Sequence, residues 1–267
     1  YERMGALCYL AAWDTRRGKR LKRQSAASSS LVLAASDDSA IQTTAPAVDR
    51  AFGAGFYDTS LYLAGDVAVG IFFVPGTHGN WTTAELDSSF TSVCRYLQQF
   101  AQDEPNARLS FTCIKEVDET GTPKTPPPAD NDRQQLRTYA NDLRHTHRTH
   151  WAYAVVIAHG AGITNADLFG PETRLHSADL RENMVVRHET LHIFGAMDEY
   201  NDARRSSVDR WGYLNVVNAN SQYNDGTGYF DGFGEGKSSL MVSGGQIGVY
   251  TRGQIGWRDR DGDGVLD

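Results

Sequence analysis

Along residues 67–74 the chain reads Val-Ala-Val-Gly-Ile-Phe-Phe-Val, with no polar side chain to mark an outer face. An apolar run of that length predicts a β-strand covered on both sides. Thr82-Thr83-Ala84-Glu85 follows as a capping box, in which the Thr82 hydroxyl and the Glu85 carboxylate each satisfy a free amide at a helix start. Leu86, Phe90, Val93, Leu97 and Phe100 then recur at spacings of four and three, the stripe of a helix that buries one face. Leu109, Phe111 and Cys113 alternate with polar neighbours as a second strand. Residues 120–129 contain four prolines, which stop both kinds of regular element and predict a rigid loop. Leu136, Tyr139, Ala140 and Leu143 predict a helix over 130–145, and residues 151–158 predict a third buried strand. Strands alternating with helices imply an α/β fold with a mostly parallel, twisted sheet.

A second capping box, Asp179-Leu180-Arg181-Glu182, opens a further helix, to which Met184, Val185, Val186 and Leu191 give apolar surface. That helix carries the densest chemistry of the chain, His188-Glu189-Thr190-Leu191-His192-Ile193-Phe194-Gly195-Ala196-Met197-Asp198. One helical turn separates His188 from His192, so both imidazoles reach one ion at about 2.0–2.1 Å. Glu189 projects beside them as a general base for water. Gly195 lets the backbone leave the helix sharply and brings Asp198 back toward the histidines. Three protein ligands with a fourth position open describe a catalytic zinc site, whereas a structural one closes all four. For the first five residues alone the plain alternative is an amphipathic helix with solvated histidines. The glycine and the carboxylate at those offsets count against it.

This segment resembles the signature of the metzincin clan of zinc metallopeptidases, H-E-x-x-H-x-x-G-x-x-H, in the snapalysin type that ends in Asp. The resemblance implies that His188, His192 and Asp198 are zinc ligands and that Glu189 is the catalytic base. It also implies a cleft between an upper α/β half and an irregular lower half, with a methionine turn beneath the metal. Residues 239–244, around Met241, are the candidate turn, although a methionine filling a core gap is the commoner role. Several metzincins place a Tyr two residues after that methionine, where this chain has Ser243. Tyr250 is near in sequence but reads as readily as a half-buried aromatic. A thermolysin-like assignment would take the third ligand from Glu235, which is flanked by glycines in a poor helix and is set aside. Glu199, next to Asp198, is a candidate partner for the ligand set.

The chain closes on Asp259-Arg260-Asp261-Gly262-Asp263-Gly264-Val265-Leu266-Asp267. Numbered as a calcium loop, carboxylates fall at positions 1, 3, 5 and 9 and glycine at the sharp turn of position 6. The segment resembles the calcium loops of EF-hands, dockerins and thrombospondin type 3 repeats, which implies Asp259, Asp261, Asp263 and Asp267 as calcium ligands. An acidic, glycine-rich linker is the alternative.

With 267 residues, 40% of them hydrophobic, the chain can bury a substantial core. The expected organisation is a polar segment or pro-segment remnant over 1–55, a catalytic domain over 56–257 and the start of a calcium repeat over 258–267. The net charge of −7 hides a split, because residues 1–23 hold seven Lys/Arg against two Asp/Glu. The basic run Arg16 to Arg23 lacks interleaved aromatics, and the acidic body repels phosphate, so nucleic acid is not expected as a partner. No apolar run approaches the roughly 18 residues of a membrane span, and a secreted or cell-surface monomer is expected. Cys8, Cys94 and Cys113 lack metal-ligand spacing; Cys94 and Cys113 either pair in an oxidising compartment or stay as buried thiols. His145, His147 and His150 read as a solvated helix end, and His159 as a residue at the sheet edge where ligands gather. Together these features favour a metalloendopeptidase acting on peptide or protein substrates. A zinc amidase or deacetylase, or a calcium-stabilised surface module, are the alternatives.

Overall fold

The structure is a computed structural model that describes residues 55–56, 58–129, 133–181, 183–223, 239–242, 245–263 and 266. Expectations placed on residues 1–54, Glu182, Glu235, Ser243 and Asp267 lie outside the described residues. Strand β1 spans Asp66–Val74, β2 Ser110–Lys115, β3 Trp151–Ala158, β4 Asn165–Ala166 and β5 Glu172–His176. They form one sheet in the order β2-β1-β3-β5-β4, parallel except for the antiparallel edge strand β4. The fold is therefore α/β, as the alternation of elements implies.

The two faces of the sheet follow from side-chain alternation. Val67, Val69, Ile71 and Phe73 of β1 point into the larger core with Tyr153, Val155 and Ile157 of β3. Helices α1 (Thr83–Gln98) and α4 (Asn183–Ile193) cover this face through Leu86, Val93, Leu97, Val186 and Leu191. On the other face Ala68, Phe72, Ala152, Ala154 and Val156 meet Leu136, Ala140 and Leu143 of α3 (Gln134–His147). Gly70 is needed there, because a Cβ would lie 1.6 Å from the Tyr139 hydroxyl oxygen. That hydroxyl passes over the strand to donate to Glu116 at 2.7 Å.

The capping box at Thr82 is fully formed, with the Glu85 amide donating to the Thr82 hydroxyl and the Thr82 amide donating to Glu85. Its stripe does not run unbroken to Phe100: α1 ends at Gln98, and Phe100 starts a separate four-residue turn, α2 (Phe100–Asp103). Of the cap expected at residue 179, the partner Glu182 lies outside the described residues. The Asp179 carboxylate accepts from the Thr164 hydroxyl at 2.6 Å, residues Asp179–Arg181 form a 3-10 turn, and α4 begins at Asn183. His145 and His147 are exposed, in line with a solvated helix end. His150 departs from that reading, since its Nδ1 accepts from the Asp66 amide at 2.8 Å and fastens the start of β1.

Below the sheet the chain loses regular structure. Among the described residues this half contains the short antiparallel pair β6 (Arg210–Trp211) and β7 (Val216–Val217), and helix α5 (Val249–Gln254). No helix among the described residues is long and apolar enough to cross a membrane.

Candidate metal centre

Helix α4 is buried along Val186–Ile193 on all sides, charged residues included, so its polar side chains must find partners inside the protein. Its end is set by a Schellman motif: the Gly195 amide donates to the His192 carbonyl and the Ala196 amide to the Leu191 carbonyl, both at 2.9 Å. Gly195 sits at φ +89°, and a Cβ there would lie 2.2 Å from the Phe169 ring. The conformation and the ring together demand glycine. The reversal also brings the Ala196 carbonyl back under its own helix, where it accepts from His192 Nδ1 at 2.8 Å.

His188 Nδ1 is fixed in the same manner by the Leu240 carbonyl at 2.9 Å. With both Nδ1–H groups donating to carbonyls, the neutral form of each ring carries its lone pair on Nε2. The two Nε2 atoms face each other at 3.1 Å, and Asp198 Oδ1 lies 3.0 Å from His188 Nε2 and 3.1 Å from His192 Nε2. Three lone-pair donors thus meet at one buried point, and Asp198 Oδ1 has no hydrogen-bond partner of sound geometry there. Ligand atoms of a tetrahedral zinc with bonds of about 2.0–2.1 Å stand roughly 3.3 Å apart. The cluster therefore fits a small divalent cation with slight expansion.

The electrostatics point the same way. Burial pulls the His188 imidazolium down, but the adjoining Asp198 carboxylate, with the charge of Glu189, outweighs it and raises it to about 9. His192 is also raised: burial opposes the charged form and the Asp198 carboxylate more than offsets it. Burial pushes the Asp198 carboxyl up, yet the two histidines hold it well below the usual carboxylate range. Glu189, only 2% exposed, is raised because burial outweighs the pull of both histidines. A cluster with these preferences stabilises positive charge at its centre.

Asp198 reaches the histidines because the lower half holds its backbone. The Met197 amide donates to Gln254 Oε1 at 2.9 Å, Gln254 Nε2 donates to Asn218 Oδ1 at 3.2 Å, and Asn218 Nδ2 donates to the Asp198 carbonyl at 3.0 Å. Glu199 anchors the next residue. Its fully buried carboxylate accepts from Asn220 Nδ2 at 2.6 Å and from the Thr251 hydroxyl at 2.9 Å, and Ser239 bonds to it as well. Its amide donates to the Met241 carbonyl at 3.1 Å. Met241 is fully buried, one residue beyond the carbonyl that orients His188. The structure thus brings together His188, Glu189, His192, Gly195, Asp198, Glu199 and Met241.

Other candidates sit elsewhere or do other work. Tyr250 lies on α5; the aromatic ring beside His188 is Tyr200, with ring centroids 6.4 Å apart. The sequence signal that could have found Tyr200 is its place two residues after Asp198, in the loop that carries that candidate ligand. Asn218, Asn220, Thr251 and Gln254 were not singled out, since isolated Asn, Thr and Gln give no spacing signal. His159 follows the end of β3 and is 7% exposed, stacked on Trp81, 3.1 Å from the Asn80 carbonyl and 3.4 Å from Glu85. It braces the loop before α1. At the far end of the chain, ligand atoms of Asp259, Asp261 and Asp263 lie within 4.8 Å of one another around Gly262 at φ +74°.

The chain matches no protein-family model and no curated protein.

Proposed function

We propose that this chain is a zinc-dependent metalloendopeptidase, of the secreted, metzincin-like kind with aspartate as third ligand. The observation that carries the reading is the meeting of His188 Nε2, His192 Nε2 and Asp198 Oδ1 beside the buried Glu189 carboxylate. The two histidines and Asp198 would hold the ion. When bound, zinc supplies a Lewis acid that acidifies water and polarises a carbonyl oxygen.

The chain's own residues do the rest. Glu189 takes a proton from the attacking water and returns it to the departing amine nitrogen, so one carboxylate serves as base and then as acid. Burial raises its carboxyl, the direction that favours taking a proton from water. The Leu240 and Ala196 carbonyls hold both imidazoles in the tautomer that leaves Nε2 free. A peptide extended along the antiparallel edge strand β4 would gain backbone hydrogen bonds by strand addition.

The test is zinc content and cleavage of an unstructured protein such as casein by the purified chain, beside Glu189→Ala and a chelator. About one zinc per chain with activity that Glu189→Ala lowers by about 10²–10⁴-fold, metal retained, supports the reading. Zinc without peptide cleavage would turn the assignment toward a non-protein amide. For the terminal loop, whose carboxylates suit a hard cation, we propose calcium as ligand. A calorimetric titration with calcium that shows no heat removes it.

A further inference from the structure

We propose that Arg252, paired with Glu104, is a positioning residue for Asp198: the ion pair joins helix α5, from which the loop of that candidate ligand hangs, to the upper half that carries both histidines. This inference rests on the metal-binding part of the reading above and not on hydrolysis.

Helix α5 has six residues, too few to hold a helical conformation in water, so its place is set by what its side chains reach. Two of them reach the metal centre. The Thr251 hydroxyl donates to Glu199 at 2.9 Å, and the Gln254 amide bonds to the Met197 backbone and to Asn218. Gly253 seats the helix on the lower half, since a Cβ there would lie 2.6 Å from the Val216 side chain. Arg252 reaches the upper half instead. It donates through Nη1 to Glu104 Oε2 at 2.7 Å and through Nη2 to the Asp103 carbonyl at 3.1 Å.

The acceptor is itself fixed. Glu104 closes α2, its side chain is 14% exposed, and its other carboxylate oxygen accepts from the Asn106 amide at 3.2 Å. Beside it, the Asp103 carboxylate accepts from Arg187, the residue before His188 on α4. Asp103 and Glu104 thus receive one arginine from each half of the centre. The aromatic rings repeat the arrangement: the Arg187 guanidinium lies over Phe100 at 5.0 Å, that of Arg252 over Trp257 at 5.5 Å, and the two rings meet edge to face at 6.1 Å. Each guanidinium has a carboxylate partner and a ring against its face, a setting that suits a planar fork rather than a point charge.

An ion pair on an open surface contributes little, because both side chains stay mobile. This one is held at both ends, by two donors of Arg252 and by Asn106 at Glu104, and so fixes where α5 stands against α2 and α4. The chain after α5 has its own ties to the upper half: the Ile255 carbonyl accepts from the Leu63 amide, and the Trp257 indole donates to the Leu63 carbonyl. Loss of Arg252 is therefore expected to loosen the helix and leave the chain folded.

The experiment compares the full chain with Arg252→Ala, Arg252→Lys, Glu104→Ala and the double alanine variant. Each is measured for zinc affinity by chelator competition, for the visible spectrum of its cobalt(II) form and for the Tm of the metal-free protein. Either single alanine variant is expected to weaken zinc by about 10-fold, and the double variant by no more than one of them, since both break the same link. Arg252→Lys keeps the charge, makes one of the two bonds and recovers part of the loss. The cobalt bands shift in the alanine variants, because the geometry of the ligand set changes. In a Glu199→Ala chain, where one tether of α5 is already cut, Arg252→Ala adds less than it does in the parent. A lowered Tm with zinc affinity and cobalt spectrum unchanged assigns Arg252 to folding alone and overturns the proposal, as do additive losses in the double variant. A parent chain that binds neither zinc nor cobalt overturns the reading of the site itself, and the positioning role with it.

Discussion

The upper and lower halves of the candidate metal centre are held by different forces. His188, Glu189 and His192 ride on a helix whose place is set by apolar burial against β1 and β3, through Val186, Leu191 and the residues of the larger core. Asp198 hangs from hydrogen bonds: Met197 to Gln254, Asp198 to Asn218, Glu199 to Asn220, Thr251 and Met241. Burial is non-directional and tolerates small shifts, whereas each bond below fixes an atom and leaves a buried polar group if broken. Two of the candidate ligands are therefore positioned by a robust scaffold and the third by a specific one. Stability and metal affinity should then respond to different substitutions.

The strongest division is expected at the Glu189 carboxylate, the proposed base. Glu189→Ala lowers turnover by about 10²–10⁴-fold, equivalent to roughly 3–5 kcal/mol, while zinc content by elemental analysis stays unchanged. Loss of zinc along with activity would mean that Glu189 is a ligand, and the proposed roles would have to be redrawn. In the upper half, Leu97→Ala removes a fully buried side chain of α1 and costs about 2–5 kcal/mol of unfolding free energy by denaturant titration. Zinc affinity in the fraction that remains folded is expected to be near that of the parent chain. An equal loss of affinity would erase the distinction between the halves.

In the lower half the order reverses. Glu199→Ala leaves Asn220, Thr251 and Ser239 without their acceptor, and zinc affinity measured by chelator competition is expected to fall about 10–100-fold. Glu199→Gln keeps an oxygen acceptor and should recover most of that loss. The smallest effect concerns pH. Glu172, 3% exposed on β5, has its carboxyl raised by burial against the pull of the Arg174 guanidinium at 3.1 Å. A carboxyl raised in the folded state contributes stability that is whole below the usual carboxylate range and is lost as pH rises through the raised value. Glu172→Gln should flatten that stretch of the Tm-versus-pH curve; a curve unchanged by the substitution would assign the slope to other groups.

The upper half was largely legible in the sequence because its elements announce themselves locally. An apolar run, a capping box and a stripe at spacings of four and three each depend on neighbouring residues. Strands β4 and β5 were not anticipated: Asn165–Ala166 is two residues long and Glu172–His176 is mostly polar, so pairing with β3 creates them rather than propensity. The lower half gave fewer signals. Asn218, Asn220 and Gln254 act through bonds to residues 20 to 57 positions away, which no spacing rule encodes.

By itself the sequence determined the α/β alternation and the residues His188, Glu189, His192, Gly195 and Asp198, since a helix of fixed pitch and a glycine reversal are local consequences of covalent geometry. Only the tertiary structure decided that Leu240 orients His188, that Glu199 is a buried hub and that Tyr200 flanks the site. Such contacts join segments far apart in the chain, and they exist only where burial has already brought those segments together and excluded the water that would otherwise satisfy them.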